Sequence, residues 1–274
     1  MSNQHSASPG SMLRALLRHR ELLWELVRRD FIGRYKGSML GVVWSLFNPL
    51  LMLAIYTFVF SVAFKARWGG TGGQGKIAFA IVLFSGIIVH TFFAECLNRS
   101  PSLIVSHPNY VKKVVFPLEI LPWMVLLSAL LHFLVSFAAL LAFCVLTGTS
   151  VQIGALLIPL ALLPLILMIL GLSWTLASLG VYLRDLSQVI GMVVTIALFM
   201  APIFYPIDSL PPTYKALLAW NPITLPVIQV RNLMLWGQPF QWGNWAISLV
   251  VGAVICQIGF WWFQKSRKGF ADVV

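Results

Sequence analysis

Charge is scarce in this sequence. Asp, Glu, Lys and Arg make up 10% of its 274 residues, and only eight of them are acidic. Those eight are scattered, mostly near the ends of apolar runs, and no two are spaced as an acid/base pair. That leaves no footing for carboxylate chemistry, nor for a buried Asp/Glu/Arg relay of the kind that couples transport to an ion gradient. Cysteine is sparse too. Cys96, Cys144 and Cys256 lie far apart in or beside apolar runs, with neither metal-ligand spacing nor a disulfide framework, and read as small apolar packing residues. His-Glu-x-x-His and similar metal patterns are missing, so no catalytic residue and no metal site is expected. Residues 1–10 are polar and lead into no apolar core of a cleavable leader; they are expected to be disordered.

What the chain does have is apolar residues, 59% of the total, with a mean hydropathy of +0.87. This composition is that of an integral membrane protein. A net charge of +11 would point to nucleic acid in a soluble domain. Here most Lys and Arg flank apolar runs, as the positive-inside rule requires, and no nucleic-acid partner is expected.

The pattern predicts an all-α polytopic protein with six spans, at about 39–64, 77–97, 117–147, 153–183, 186–205 and 242–263. Residues 39–64 carry no charge, and as a helix they would be about 35–40 Å long, enough for a hydrocarbon core of about 30 Å. Gly33, Gly37 and Gly41, where the surface segment becomes this span, would share one helix face open to a second backbone, or loosen an interfacial turn. Ahead of them, residues 11–32 place Leu13, Leu16, Leu17, Leu23, Trp24, Val27 and Phe31 at three- and four-residue steps among charges, an amphipathic helix for the membrane surface. It suits a lipid anchor, a lateral doorway and a contact for a cytoplasmic partner alike. Pro122 is expected to kink the third span, and Pro159 and Pro164 to break or tilt the fourth. Residues 206–241, apolar runs of about ten residues cut by prolines, suit re-entrant or interfacial helices, and 269–274 form a tail.

Six spans put both termini on one side. Fourteen of the nineteen Lys and Arg fall on that side, which makes it the cytoplasm. Residues 70–76 match the glycines and lysine of G-x-x-x-x-G-K, but Ile77 stands where a magnesium-binding hydroxyl belongs, no strand precedes, and the loop is on the side without ATP. No nucleotide or other cofactor is expected on this chain. Glu95, a turn from Arg99, is expected in an interfacial ion pair, and His90 in a helix contact. In the polar link 99–116, Ser100 should cap a short helix starting at Pro101 and ended by Pro108; Ser100, Pro101, Ser102, Ser106, His107, Pro108 and Asn109 offer a handle for a cytoplasmic partner. Aromatic residues are plentiful: Trp44, Phe47, Tyr56, Phe58 and Phe60 in the first span, and Phe199, Phe204 and Tyr205 in the fifth. Such rings mark interfaces and fill cores, and a wall of them would also let a sugar chain slide past with few directional bonds.

The run Arg34-Tyr35-Lys36-Gly37-Ser38-Met39-Leu40-Gly41-Val42-Val43-Trp44, followed by Asn48-Pro49-Leu50, resembles the first-span signature of ABC-2 type permeases that export polysaccharides. Phe116-Pro117-Leu118-Glu119-Ile120-Leu121-Pro122 resembles that family's third-span entry, and Trp220-Asn221-Pro222 the segment before its last span. The similarity runs through residues 13–268 and is weakest in the glycine-rich loop. It implies a non-enzymatic half-transporter of the bacterial inner membrane. Two copies would form the channel, and two separate ATPase subunits would bring ATP and magnesium. The cargo would be an O-antigen, capsule or teichoic-acid glycan on an undecaprenyl-type lipid. By matching position, residues 11–31 and 100–109 would transmit the ATPase stroke. Arg28, Arg29, Arg34 and Lys36 become candidates for the lipid diphosphate, and Trp44, Phe47, Tyr56, Phe60, Phe199 and Tyr205 for the channel wall. A lipid or drug exporter of the same architecture, and a polytopic glycan-modifying enzyme, remain as alternatives.

Overall fold

A backbone inside a bilayer has no water to bond, so runs of Leu, Ile, Val, Ala and Phe fold as helices that pair every peptide group internally. The computed structural model describes residues 9–34, 36–38, 41–59, 76–112 and 116–273, and among these every regular element is helical. The α-helices are α1 (Pro9–Arg18), α2 (Arg20–Gly33), α3 (Trp44–Tyr56), α4 (Lys76–Arg99), α5 (Pro108–Lys112), α6 (Leu121–Leu146), α7 (Ile158–Tyr182), α8 (Leu186–Met200), α9 (Pro212–Ala219), α10 (Thr224–Arg231), α11 (Trp242–Ser266) and α12 (Phe270–Val273). Four segments are long and apolar enough to cross a membrane: Ile77–Arg99, Leu118–Leu146, Ile153–Tyr182 and Trp242–Gly269. Two shorter apolar helices, Trp44–Val59 and Leu186–Met200, lie where the first and fifth spans are expected. The expected end of the first span with Phe60, the pattern through Gly75, and residues 1–8 of the expected disordered tail lie outside the described residues.

Helix α4 is the hub. Most of its apolar stretch is buried, and it packs against α3, α6, α7, α8 and α10. The most extensive pairing is α7 with α11, and it depends on missing side chains. A Cβ at Gly259 would stand 2.0 Å from the Gly171 carbonyl oxygen, and one at Gly171 would stand 2.3 Å from that of Ile255. The two backbones are therefore in van der Waals contact, as in other small-residue helix crossings.

Several expectations are corrected. The surface helix is two helices, α1 and α2, with a break at His19, and α1 already includes Pro9 and Gly10. Gly33 ends α2, while Gly37 (φ 89°) and Gly41 (φ 52°) have left-handed backbone that glycine alone adopts freely. They turn the chain instead of lining a helix face. Pro122 and Pro159 sit in the first turns of α6 and α7, where a missing N–H costs nothing, so neither kinks its helix. Pro164 lies inside α7, yet the helix runs on to Tyr182. The carbonyl that Pro164 leaves without its usual partner is that of Leu160, and it accepts a 2.8 Å hydrogen bond from Trp245 Nε1. The 269–274 tail is helical over α12, with Phe270 fully buried.

Candidate functional site

Acidic and basic side chains meet where α2 lies across α4 and α6. Asp30 on α2 accepts both arms of Arg99 (2.5 and 3.0 Å), the Ser128 hydroxyl (2.6 Å) and a longer contact from Arg34 (3.5 Å). Arg34 also pairs with Glu95, which lies 3.7 Å from Arg99. The ion pairing expected for Glu95 with Arg99 is present and wider than a single partner. Burial works to raise the Asp30 pKa, but the hydrogen bonds from Arg99 and Ser128 and the nearby arginine charges outweigh it and hold the carboxyl below its ordinary value. A cleft of about 350 Å³ opens beside this knot, with Arg29, Asp30, Gly33, Arg34 and His107 in its wall. Of the four proposed diphosphate ligands, Arg29 and Arg34 line it; Arg28 and Lys36 are exposed elsewhere. Arg29 donates to the Tyr110 hydroxyl, and Tyr110 stacks between His107 and Phe116.

The link 100–107 differs from its expectation. Residues 100–106 form turns, and Pro108 opens α5 at the first helical position, which suits its fixed φ, instead of closing a helix. Ser100 does not cap: its hydroxyl returns to the Cys96 carbonyl at 2.7 Å. Ser100 and Pro101 are buried with Leu103 and Ile104, while Ser102, Ser106 and Asn109 are exposed and His107 and Pro108 half-buried.

Of the proposed wall residues, Trp44, Phe47 and Tyr56 sit on α3 and Phe199 on α8, two helices that flank α4; Tyr205 follows the end of α8, and Phe60 lies outside the described residues. Phe47 and Phe199 are 43% and 62% exposed; Trp44, Tyr56 and Tyr205 are half-buried. Trp44 meets Phe47 edge-on at 5.1 Å, Phe199 stacks on Phe204 at 5.7 Å, and the Tyr205 hydroxyl donates to the Phe199 carbonyl at 3.0 Å. His90 Nε2 lies 3.1 Å from the Val194 carbonyl oxygen, the helix contact expected of it.

Motif residues turn out to be joints. Asn221 donates to the Ala197 carbonyl at 2.8 Å, closing the end of α8, and its side-chain oxygen accepts the Ile223 N–H at 3.1 Å. The Glu119 carboxylate takes Arg267 at 2.7 Å and its carbonyl takes Trp174 Nε1 at 3.2 Å. Arg231 carries no role in the sequence reading, where it is one of the five Lys and Arg left for the outer side. It is 1% exposed and donates to the carbonyls of Val82 (3.0 Å), Pro202 (2.5 Å) and Ile203 (3.0 Å). Gly86 makes the room, since a Cβ there would stand 2.7 Å from the guanidinium. The available signal was an arginine, with Gln229 and Asn232 beside it, in the largely apolar run 227–236.

These features define a helical membrane protein with four apolar segments long enough to span and a knot of ion pairs and hydrogen bonds joining α2, α4 and α6. The family model described as "ABC-2 type transporter" matches residues 21–235, and the chain belongs to that family of transporter membrane subunits. It is 25% identical over 255 residues to an O-antigen export system permease protein RfbA of Klebsiella pneumoniae, covering 93% of this chain and 95% of that one. The RfbA permease of Myxococcus xanthus is 28% identical over 77% of this chain and 79% of its own. A polysialic acid transport protein, KpsM of Escherichia coli, is 24% identical over 77% and 80%.

Proposed function

We propose that this chain is the permease half of an ATP-driven exporter that moves a lipid-linked polysaccharide across the bacterial inner membrane. The observation that carries this reading is that relatives named for two different surface glycans align with three quarters or more of the chain. Six passes, counting Trp44–Val59 and Leu186–Met200, put both termini and the Asp30–Arg99 knot in the cytoplasm. Residues 206–241 enter and leave by the outer face, which accounts for short helices broken by prolines. Two copies form the conduit, with the aromatics of α3 and α8 along it. Two ATPase subunits dock on Ser102, Ser106 and Asn109 and supply ATP and magnesium, so this subunit carries no catalysis itself. The cleft beside Arg29 and Arg34 receives the diphosphate of the carrier lipid, with Arg28 and Lys36 as outlying cations.

The test is deletion of the gene in its host, followed by gel analysis of extracted surface glycan and affinity purification of the tagged chain. Loss of long-chain surface glycan, with intracellular accumulation and co-purification of an ATPase, is expected. Unchanged glycan and no associated ATPase would refute the reading.

A further inference from the structure

The segment proposed to meet the ATPase is wedged between two elements that sequence reasoning left unconnected to it. On one side is the end of α7. A Cβ at Gly180 would stand 1.8 Å from the Pro101 carbonyl oxygen, against the 3.0 Å that real contacts keep, so backbone lies directly on backbone. On the other side is α12, which packs on both α5 and α7. Phe270 is fully buried between Tyr182 (ring centroids 6.4 Å) and Phe263 (5.6 Å, edge-on), and Gly269 lies so close to Tyr182 that a Cβ would meet its hydroxyl at 2.7 Å. Just before them, Arg267 ties this corner to Glu119 and to the Phe116 carbonyl.

Beyond this seat, α7 does not travel alone. Its glycine contacts with α11, and a third at Gly252, whose Cβ would stand 2.6 Å from the Pro164 carbonyl oxygen, hold the two helices in fixed register. At the far end of the pair Trp245 bonds Leu160, the Gln152 N–H donates to the Met234 carbonyl at 2.9 Å, and Gly154 abuts Leu233. One continuous series of contacts therefore runs from the exposed serines 102 and 106 to residues 233–234, close-packed along α7 and α11 and with a cavity of about 280 Å³ beside the Pro101–Gly180 contact. Packed elements of this kind move as units instead of deforming.

We infer that the Pro101–Gly180 contact, backed by Phe270, is the joint that delivers movement of the ATPase-facing segment to the α7–α11 pair as a rigid body. Gly180 and Phe270 are positioning residues: they touch neither ATP nor glycan, and set how much of each stroke reaches the conduit. The inference rests on the function proposed above.

Its test compares two readouts that a general loss of folding would lower together. The complex of the full chain with its co-purified ATPase is placed in nanodiscs for ATP hydrolysis, and surface glycan is measured in the producing cells. Gly180→Ala must push α7 off the segment by more than an ångström. It should keep hydrolysis within about twofold of wild type while lowering surface glycan about fivefold or more, a size in the range of mutations along coupling paths. Phe270→Ala removes the backing without adding volume and should lower the glycan-to-hydrolysis ratio about threefold, with Phe270→Leu restoring it. If the Gly180 variant fails to assemble, the Phe270 pair decides. A ratio that stays constant in Phe270→Ala, whether both activities persist or fall together, overturns the joint. A wild-type complex with no ATPase, or a deletion strain with normal glycan, fails the proposed function instead, whatever the variants do.

Discussion

Replacing Asp30 by Asn would remove the charge at the centre of the α2–α4–α6 knot. The carboxylate holds Arg99 through two bonds of 2.5 and 3.0 Å, Ser128 at 2.6 Å and Arg34 at 3.5 Å. Breaking a fully buried pair costs about 3–5 kcal/mol. Here the side chains of Asp30 and Arg99 are 17% and 30% exposed, so water screens part of the loss. The cost should be about 2–3 kcal/mol, or a melting midpoint lowered by about 5–10 °C. Arg99→Gln should cost a similar amount, and the double variant little more, giving a coupling of about 2 kcal/mol. The pH dependence has a definite sign. The folded carboxyl lies below its ordinary value of 3.8, so its contribution is complete above that value and is lost as the pH falls through the lowered one. The Asn variant should lack that part of the acid limb. Tryptophan fluorescence during thermal unfolding in detergent, across acid and neutral pH, measures both effects. A shift below about 1 °C, or strict additivity with Arg99→Gln, would refute the argument that α2 is held by charge.

Arg231→Met should destabilise by about 3 kcal/mol or more in the same assay, because the Pro202 and Ile203 carbonyls lose their donor and Val82 keeps only its other partners; Gly86→Ala should follow it by crowding the guanidinium. Trp245→Phe should cost about 1–2 kcal/mol, and adding Pro164→Ala should recover much of it by giving the Leu160 carbonyl a helical N–H again; no recovery would refute that account of the proline. Asn221→Ala should cost about 1–2 kcal/mol, while Trp220→Ala, at an 88% exposed position, should stay within about 0.5 kcal/mol. Ser102→Cys and Ser106→Cys should crosslink to the ATPase, whereas Ser100→Cys should not, since Ser100 is fully buried; equal labelling at all three would refute the docking surface.

What could be read from sequence followed from apolar run length. The helices at 77–99, 118–146 and 153–182 lie within two residues of their predicted bounds, and that at 242–269 runs six residues past its predicted end, because inside a bilayer little besides a helix satisfies the backbone. The prolines misled because their effect depends on what compensates them. Nothing local to Pro164 foretells that Trp245 will take the freed carbonyl 85 residues away. Ser100 and Pro108 misled for a related reason: each fits either end of a short helix, and tertiary burial of Leu103 and Ile104 chose the turn. Periodicity located Phe31 and the charged face of α2, but the stronger partners of Asp30, Arg99 and Ser128, lie 69 and 98 residues away and leave no local trace. Arg231 escaped notice because hydropathy reads an arginine in a short apolar run as a boundary.

Arg231 also sets an order on biogenesis. Its Val82 acceptor lies 149 residues upstream, so α4 leaves the ribosome long before the donor that closes over it exists. A nascent chain that stops short of α10 keeps the Pro202 and Ile203 peptide oxygens without their guanidinium donor in a greasy surrounding. Such a fragment is an unfinished object that membrane proteases can tell from the mature subunit.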